Sequence, residues 1–256
     1  MSPKDAIILG FVEGLTEFLP VSSTGHLILT AHILGLTHNE FTKSFEISIQ
    51  LGAILAVFSL YLKRFLTDFE TWKRIILAFL PTGILGFILY RFIKGYLIGN
   101  DLVVVVSLLL GGVFLIFADR WCERFCHIDQ VQKLALSKAF VIGLFQSLAM
   151  VPGVSRSGAT IIGGMLMGLN RKQAAEFSFL LAVPTMLSAT GYDLYKSYSQ
   201  FSFQEFHLLA IGFAVSFLTA ILSVKLFLRF VSSYSFLPFG IYRILVSLLY
   251  SYFFLF

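Results

Sequence analysis

A chain of 256 residues would suit one or two soluble domains, but hydrophobic residues make up 57% of it and charged residues only 13%. Ordinary globular proteins run at roughly 45–50% and about 25%, so with a mean hydropathy of +0.86 the chain reads as a membrane protein. Its 29 Phe exclude a low-complexity linker and its two Cys exclude a disulfide scaffold. The net charge of +5 does not point to nucleic acid, because the basic residues sit in short loops between apolar runs.

Met1 to Gly10 has neither a basic start nor a small-residue cleavage site, so no cleaved signal peptide is expected. An apolar region then runs from 5 to 36, but Pro20 and the hydroxyls Ser22, Ser23 and Thr24 break it midway. Neither half reaches the roughly 20 residues of a spanning helix. Runs near 45 to 62, 75 to 92 and 102 to 118 are long enough or nearly so. A second broken region, 139 to 169, carries Pro152 and Gly153 at its centre, and three more runs follow near 175 to 195, 207 to 228 and 237 to 256. Irregular backbone at membrane depth must be satisfied by protein or by a water-filled cavity, so each broken region reads as a re-entrant hairpin. The expected fold class is an all-α polytopic membrane protein. Six transmembrane helices and two re-entrant helix-turn-helix hairpins form a single integral membrane domain, 1–256.

A shift of 133 residues lays Gly10 on Gly143, Glu13 on Gln146, Ser22 on Ser155, Thr24 on Ser157, Gly25 on Gly158 and Gly35 on Gly168 without a gap. The chain therefore divides into repeat halves of about 1–130 and 131–256, each a broken hairpin followed by three spans. Three is odd, so the second half enters from the opposite face. Such an inverted-topology repeat places a site where the broken helices meet. Lys4, Lys43, Arg91, Lys94 and Lys196 lie on the N-terminal side. Opposite them stand Lys63, Arg64, Lys73, Arg74, Arg120, Arg124, Lys133, Lys138, Arg171, Lys172, Lys225 and Arg229. The excess of positive charge marks the cytoplasmic side, which puts both termini and the mouth of the first hairpin outside.

In the first hairpin Glu13 and Glu17 stand four apart, on one helical face of an apolar segment. Ionisable groups there usually face a cavity and serve function, and paired carboxylates either share a proton or chelate a divalent cation. Ser22, Ser23 and Thr24 precede Gly25 and His26, where a second short helix should start. Each hydroxyl taken singly suits a cap. Together with His26 and the two carboxylates they supply nucleophile, acid–base and orienting groups on one hairpin. The second hairpin reads Pro152-Gly153-Val-Ser155-Arg156-Ser157-Gly158-Ala-Thr160, with Gln146 where the first has Glu13. A helix starting near Ser157 aims free N–H groups at the tip. A guanidinium grips phosphate oxygens by paired hydrogen bonds, so Arg156 with the hydroxyls at 155, 157 and 160 makes an oxyanion site. Arg156 as an ion-pair partner of Glu13 or Glu17 is the structural alternative, and the two readings are compatible. An acid–base set meeting an anion clamp suits phosphoryl transfer on a lipid.

At these residues the sequence resembles the undecaprenyl-diphosphate phosphatase family of bacteria, the bacitracin-resistance membrane phosphatases. Its signatures stand as Glu13-Gly-Leu-Thr-Glu17 with Ser22-Ser23-Thr24-Gly25-His26 after it, and as Pro152 to Thr160. The resemblance covers essentially the whole chain, with no departure at a signature position. It implies hydrolysis of undecaprenyl diphosphate to the monophosphate carrier used for peptidoglycan and other envelope polymers. The location implied is the bacterial cytoplasmic membrane, with a site opening outward. Carried over, the resemblance makes Glu17, His26 and Ser23 catalytic, with Glu13 their carboxylate partner or a metal ligand beside Glu17. Arg156, Ser155 and Thr160, with Ser157 and Ser22, hold the diphosphate. The cofactor expected is at most a divalent cation, Mg²⁺ or Ca²⁺, with no organic cofactor. The partners expected are the polyprenyl diphosphate, membrane lipids and, as an open point, a second copy in a homodimer. Ser23 either attacks phosphorus or orients a water, and both stay open.

The alternative function is a transporter or flippase of polyprenyl phosphate lipids, since inverted repeats with broken hairpins are a transporter architecture. Transport alone gives no reason for the asymmetry that loads one hairpin with acids and the other with Arg156. A further class of lipid phosphatases needs an Arg-Pro dipeptide, which the chain lacks. Cys122 and Cys126 miss haem and zinc spacings and are expected as free thiols in a cytoplasmic loop. His32, His38 and His207 are expected at loops or helix ends. Arg243, inside the last run beside Tyr242, needs a partner, and a structural ion pair is expected.

Overall fold

The computed structural model describes residues 1–36, 40–92, 101–197 and 206–254. Helices α1 (Pro3–Thr16) and α2 (Ser23–Ile33) are followed by α3 (Glu40–Leu60), α4 (Leu62–Thr67), α5 (Phe69–Phe92) and α6 (Asp101–Phe125). Then come α7 (Leu136–Ser147), α8 (Arg156–Leu166), α9 (Arg171–Ser197), α10 (Phe206–Val231) and α11 (Leu237–Phe254). The described residues are all-helical apart from turns and one isolated bridge between Ile128 and Leu169. His38 and Lys94 lie outside them. His32 and His207 sit at helix ends, in the last turn of α2 and the first of α10.

Four stretches are long and apolar enough to cross a membrane: Phe69–Leu89, Leu102–Cys122, Arg171–Tyr192 and Phe206–Val231. The apolar parts of α3 and α11, Phe45–Leu60 and Leu237–Tyr252, are shorter, as is Leu136–Met150. Four of the six expected spans therefore meet the length of a bilayer core outright. The chain is an all-helical, multi-pass membrane protein.

Local chemistry explains the starts and breaks. Pro3 opens α1 behind a capping box, in which Asp5 N donates to Ser2 Oγ at 3.3 Å and Ser2 N to Asp5 Oδ2 at 2.6 Å. Both broken regions fold as helix, turn, helix. Ser22 (φ 72°) and Ser155 (φ 70°) are the non-glycine residues with positive φ among those described. Each caps the next helix, accepting from Gly25 N at 3.4 Å and Gly158 N at 3.1 Å. Left-handed backbone at a serine costs of order 1–3 kcal/mol, and it recurs at the same point of both hairpins. Gly35 and Gly168, also 133 apart, end α2 and α8 with positive φ.

Small residues let the helices close on one another. A Cβ on Gly10 would stand 2.5 Å from the carbonyl oxygen of Gly212 in α10, and one on Gly143 would run into that of Ala78 in α5. The matched glycines thus seat α1 on α10 and α7 on α5. Gly143→Leu should cost at least about 1–3 kcal/mol through forced separation of α7 from α5, read as a lower midpoint of thermal unfolding in detergent; an unchanged midpoint would show that the helices can part freely.

Two expectations are corrected. Cys122 and Cys126 are joined in a disulfide, because i and i+4 positions at the end of α6 lie on one face. Arg243 forms no ion pair with a described residue: it is buried, and its guanidinium donates to backbone carbonyls at 3.0–3.3 Å. Carbonyls of the two hairpin tips, with those of Ser107 and Leu108 in α6, provide the acceptors that a buried charge needs.

Candidate active site

The hairpin tips meet between α6, α9 and α11. Arg243 donates to Pro20 O (3.2 Å) of the first tip, to Gly153 O (3.0 Å) and Val154 O (3.1 Å) of the second, and to Ser107 O (3.1 Å) of α6. Ser157 Oγ adds a direct stitch to Leu19 O at 2.6 Å. Residues from opposite ends of the chain are thereby held in one block.

Glu17 is the centre of the block, buried at the C-cap of α1. Its Oε2 accepts from Ser23 Oγ at 2.5 Å and its Oε1 from Arg156 Nη2 at 3.0 Å. Arg156 also donates from Nη1 to Ser178 O at 3.0 Å and lies over the Phe18 ring, 5.5 Å from its centre. Its Nε is buried and has no acceptor among the described residues. The site therefore contains one hydroxyl aimed at a carboxylate and one guanidinium N–H still to be satisfied. Beside them is a cavity of about 140 Å³, lined among others by Glu17, Ser22, Ser23, Gln50, Ser155 and Arg156.

Glu13 is completely buried, one helical turn before Glu17, and neither carboxylate oxygen has a hydrogen-bond partner among the described residues. Burying a carboxylate in this way is costly unless a proton, water or cation completes it. Glu17, Glu46 and Arg156 all act on it electrostatically. Glu46, from α3, was not singled out in the sequence, and no motif there would have marked it.

His26 lies in the first turn of α2, three residues after Ser23. Its Nδ1 lies 2.8 Å from Ser22 O and its Nε2 2.7 Å from Tyr242 Oη, with the two rings stacked at 5.6 Å. A carbonyl can only accept, so Nδ1 carries the hydrogen and Nε2 receives one from Tyr242. The structure brings Ser23, Glu17 and Arg156 together, while both ring nitrogens of His26 are engaged by Ser22 O and Tyr242 and His26 is not among the residues lining the smaller cavity. Ser157 and Thr160 also lie outside the cavity lining. The Thr160 hydroxyl is spent on Ser178 Oγ at 2.6 Å and Arg156 O at 2.9 Å, bracing the start of α8. Ser22 and Ser155 line the cavity while capping their helices. The partners missed in the sequence are Tyr242, Ser178 and Gln50. Only Tyr242 carried a signal, its place beside an intramembrane arginine.

A second cavity, about 1040 Å³, shares Arg156 and Ala149 with the first. Phe79, Phe87, Ile88, Met150 and Tyr192 give it an apolar wall, and Gln146, Thr82 and Thr185 form a hydrogen-bonded patch within it.

Apolar helices of spanning length around a buried carboxylate, hydroxyl and guanidinium, with a greasy cavity leading to them, define a membrane-embedded site for an anionic amphiphile. The family described as bacitracin resistance protein BacA matches residues 6–249, and the chain belongs to that family. Among relatives, a protein of Aquifex aeolicus named undecaprenyl-diphosphatase is 66% identical over 256 residues, covering 100% of both chains. Proteins with the same name from a Sulfurihydrogenibium species and from Thermus thermophilus are 55% and 52% identical. The first covers 98% of each chain; the second covers 100% of this chain and 98% of its own.

Proposed function

We propose that the protein hydrolyses undecaprenyl diphosphate to undecaprenyl phosphate and inorganic phosphate, recycling the lipid carrier of the bacterial envelope. The observation that carries this reading is the Ser23–Glu17–Arg156 chain, with an unsatisfied guanidinium N–H beside an apolar cavity. The polyprenyl tail lies in the larger cavity and the diphosphate in the smaller, with Arg156 common to both. Incoming phosphate oxygens compete with Glu17 for Arg156, which frees the carboxylate to act as base. Ser23 Oγ attacks the terminal phosphorus as its proton passes to Glu17. The bond from that phosphorus to the bridging oxygen breaks, and the prenyl monophosphate leaves. Glu17 passes that proton to the departing phosphate oxygen; a water then attacks the phosphoserine and gives one proton to Glu17, which returns it to Ser23 Oγ as the Oγ–P bond breaks and inorganic phosphate is released. The 2.5 Å contact favours Ser23 as nucleophile over a water-orienting role.

Glu13 and Glu17 suit a divalent cation held jointly with the diphosphate, since Mg²⁺ commonly takes one or two carboxylates plus substrate phosphates. Among the described residues no group of three or more His, Cys, Asp or Glu forms a complete cage. The free oxygens of Glu13 are the part of the set that fits. A bound cation would neutralise phosphate charge. His26 and Tyr242 act by holding the first turn of α2, which carries Ser23. Tyr242→Phe should lower kcat about 2- to 10-fold at unchanged KM, the worth of one hydrogen bond; steady-state kinetics showing wild-type kcat would remove Tyr242 from the mechanism.

The six-span arrangement with two re-entrant hairpins in inverted halves is part of the same reading. It is supported by the matched serines, glycines and helix contacts 133 residues apart. The loop charges support termini outside the cytoplasm and an outward-opening site in the cytoplasmic membrane. The test is phosphate release from undecaprenyl diphosphate by the purified protein, with and without Mg²⁺ or Ca²⁺. One phosphate per lipid is expected; lipid carried between leaflets with its diphosphate intact, and no release, would favour the flippase.

A further inference from the structure

A groove of about 580 Å³ lies behind the first hairpin, and it shares no lining residue with the two cavities around Arg156. Leu15 and Leu19 form its floor. Leu15 stands about 200° around α1 from Glu17, on the face opposite the carboxylate. Leu226, Phe227, Phe230 and Phe239 complete the apolar walls. Its inner end is fixed at the level of the hairpin tip, where Ser223 Oγ donates to Leu15 O at 2.8 Å. From Ser223 to Arg229 is about 9 Å along α10, more than half of the roughly 15 Å hydrocarbon depth of one leaflet.

The rim differs from the walls. Arg229 lines the groove, is exposed, and makes no hydrogen bond or ion pair with a described residue. Lys225, one turn earlier on α10, is also exposed. Ser233 and Tyr234 add hydroxyls, and the Tyr234 ring stacks on Phe230 at 5.0 Å. An aromatic with a polar tip beside a cation is the usual furniture of a membrane interface. No Asp or Glu lines the groove, so nothing there would attract the ammonium of a zwitterionic headgroup.

We propose that this groove binds an anionic phospholipid: an acyl chain lies along Leu226, Phe230 and Leu15, and the headgroup phosphate is held by Arg229 with Lys225 nearby. The charge is complementary, the groove runs through more than half of a single leaflet, and on the topology proposed above the rim faces the cytoplasm. The bound chain packs on Leu15 and Leu19, on either side of Glu17 in sequence, and so supports the strained tip from behind. The groove shares no lining residue with the cavities around Arg156, so its occupant is distinct from a lipid held there as substrate.

Native mass spectrometry of the full chain in detergent tests this, with dioleoylphosphatidylglycerol and dioleoylphosphatidylcholine added at equal concentration. Wild type should retain the first phosphatidylglycerol about tenfold better, as one charge-assisted contact allows. Arg229→Glu should abolish the preference. Leu226→Trp, which fills the groove at an already exposed position, should reduce retention of both lipids. Equal retention by wild type, a preference that survives Arg229→Glu, or undecaprenyl phosphate displacing phosphatidylglycerol from this site would each overturn the proposal. Circular dichroism of both variants shows that they fold, and Leu226→Trp decides the matter should Arg229→Glu unfold.

Discussion

Glu17→Gln should leave the helical fold standing and reduce kcat/KM by about 10²–10⁴, the range for loss of a positioned general base. The amide oxygen can still accept from Arg156 and the amide nitrogen can still face Ser23, so the 3.0 Å and 2.5 Å contacts keep a partner on each side. What is lost is a group that takes the Ser23 proton. Glu17→Ala is a poorer test, because it strands a buried guanidinium, and breaking a buried pair costs about 3–5 kcal/mol. The measurement is phosphate release beside a thermal unfolding curve. Retained release by a folded Glu17→Gln protein would move the base elsewhere, with Glu13 the next candidate.

Arg156→Ala should impair both binding and turnover, lowering kcat/KM by about 10²–10³ for one lost electrostatic stabiliser. It should also destabilise the fold, since Glu17 would be left buried with its Oε1 unpaired and Ser178 O would lose its donor. Arg156→Lys separates the two effects. It keeps a charge near Glu17 but loses the planar fork and the stacking on Phe18. The expected result for Arg156→Lys is near-normal unfolding with raised KM and lowered kcat. Wild-type kinetics in Arg156→Lys would show that a point charge suffices, and the clamp would be wrong.

Much of the architecture was legible along the chain. Breaks in apolar runs depend on neighbouring residues, so Pro20 and Pro152-Gly153 announced themselves locally and Ser22 was legible as a candidate cap, whereas the positive φ of Ser22 and Ser155 showed only in the fold. The carboxylates and Arg156 were legible for a related reason: an ionisable group in an apolar segment is expensive and demands an explanation. The disulfide was missed because spacing was weighed against metal motifs, whereas its cause is that two cysteines share one helix face.

By itself the sequence determined the membrane class, the paired hairpins and the identities of the polar residues near the site. Only the tertiary structure decided which of them touch. Glu17 meets Arg156 from 139 residues away and His26 meets Tyr242 from 216, so neither pairing leaves a trace in local spacing. The ion pair expected for Arg243 became a set of carbonyl contacts for the same reason. Its acceptors are backbone groups at the ends of two separate hairpins together with Ser107 and Leu108 of α6, and packing of α6 and α11 around both tips brings them together.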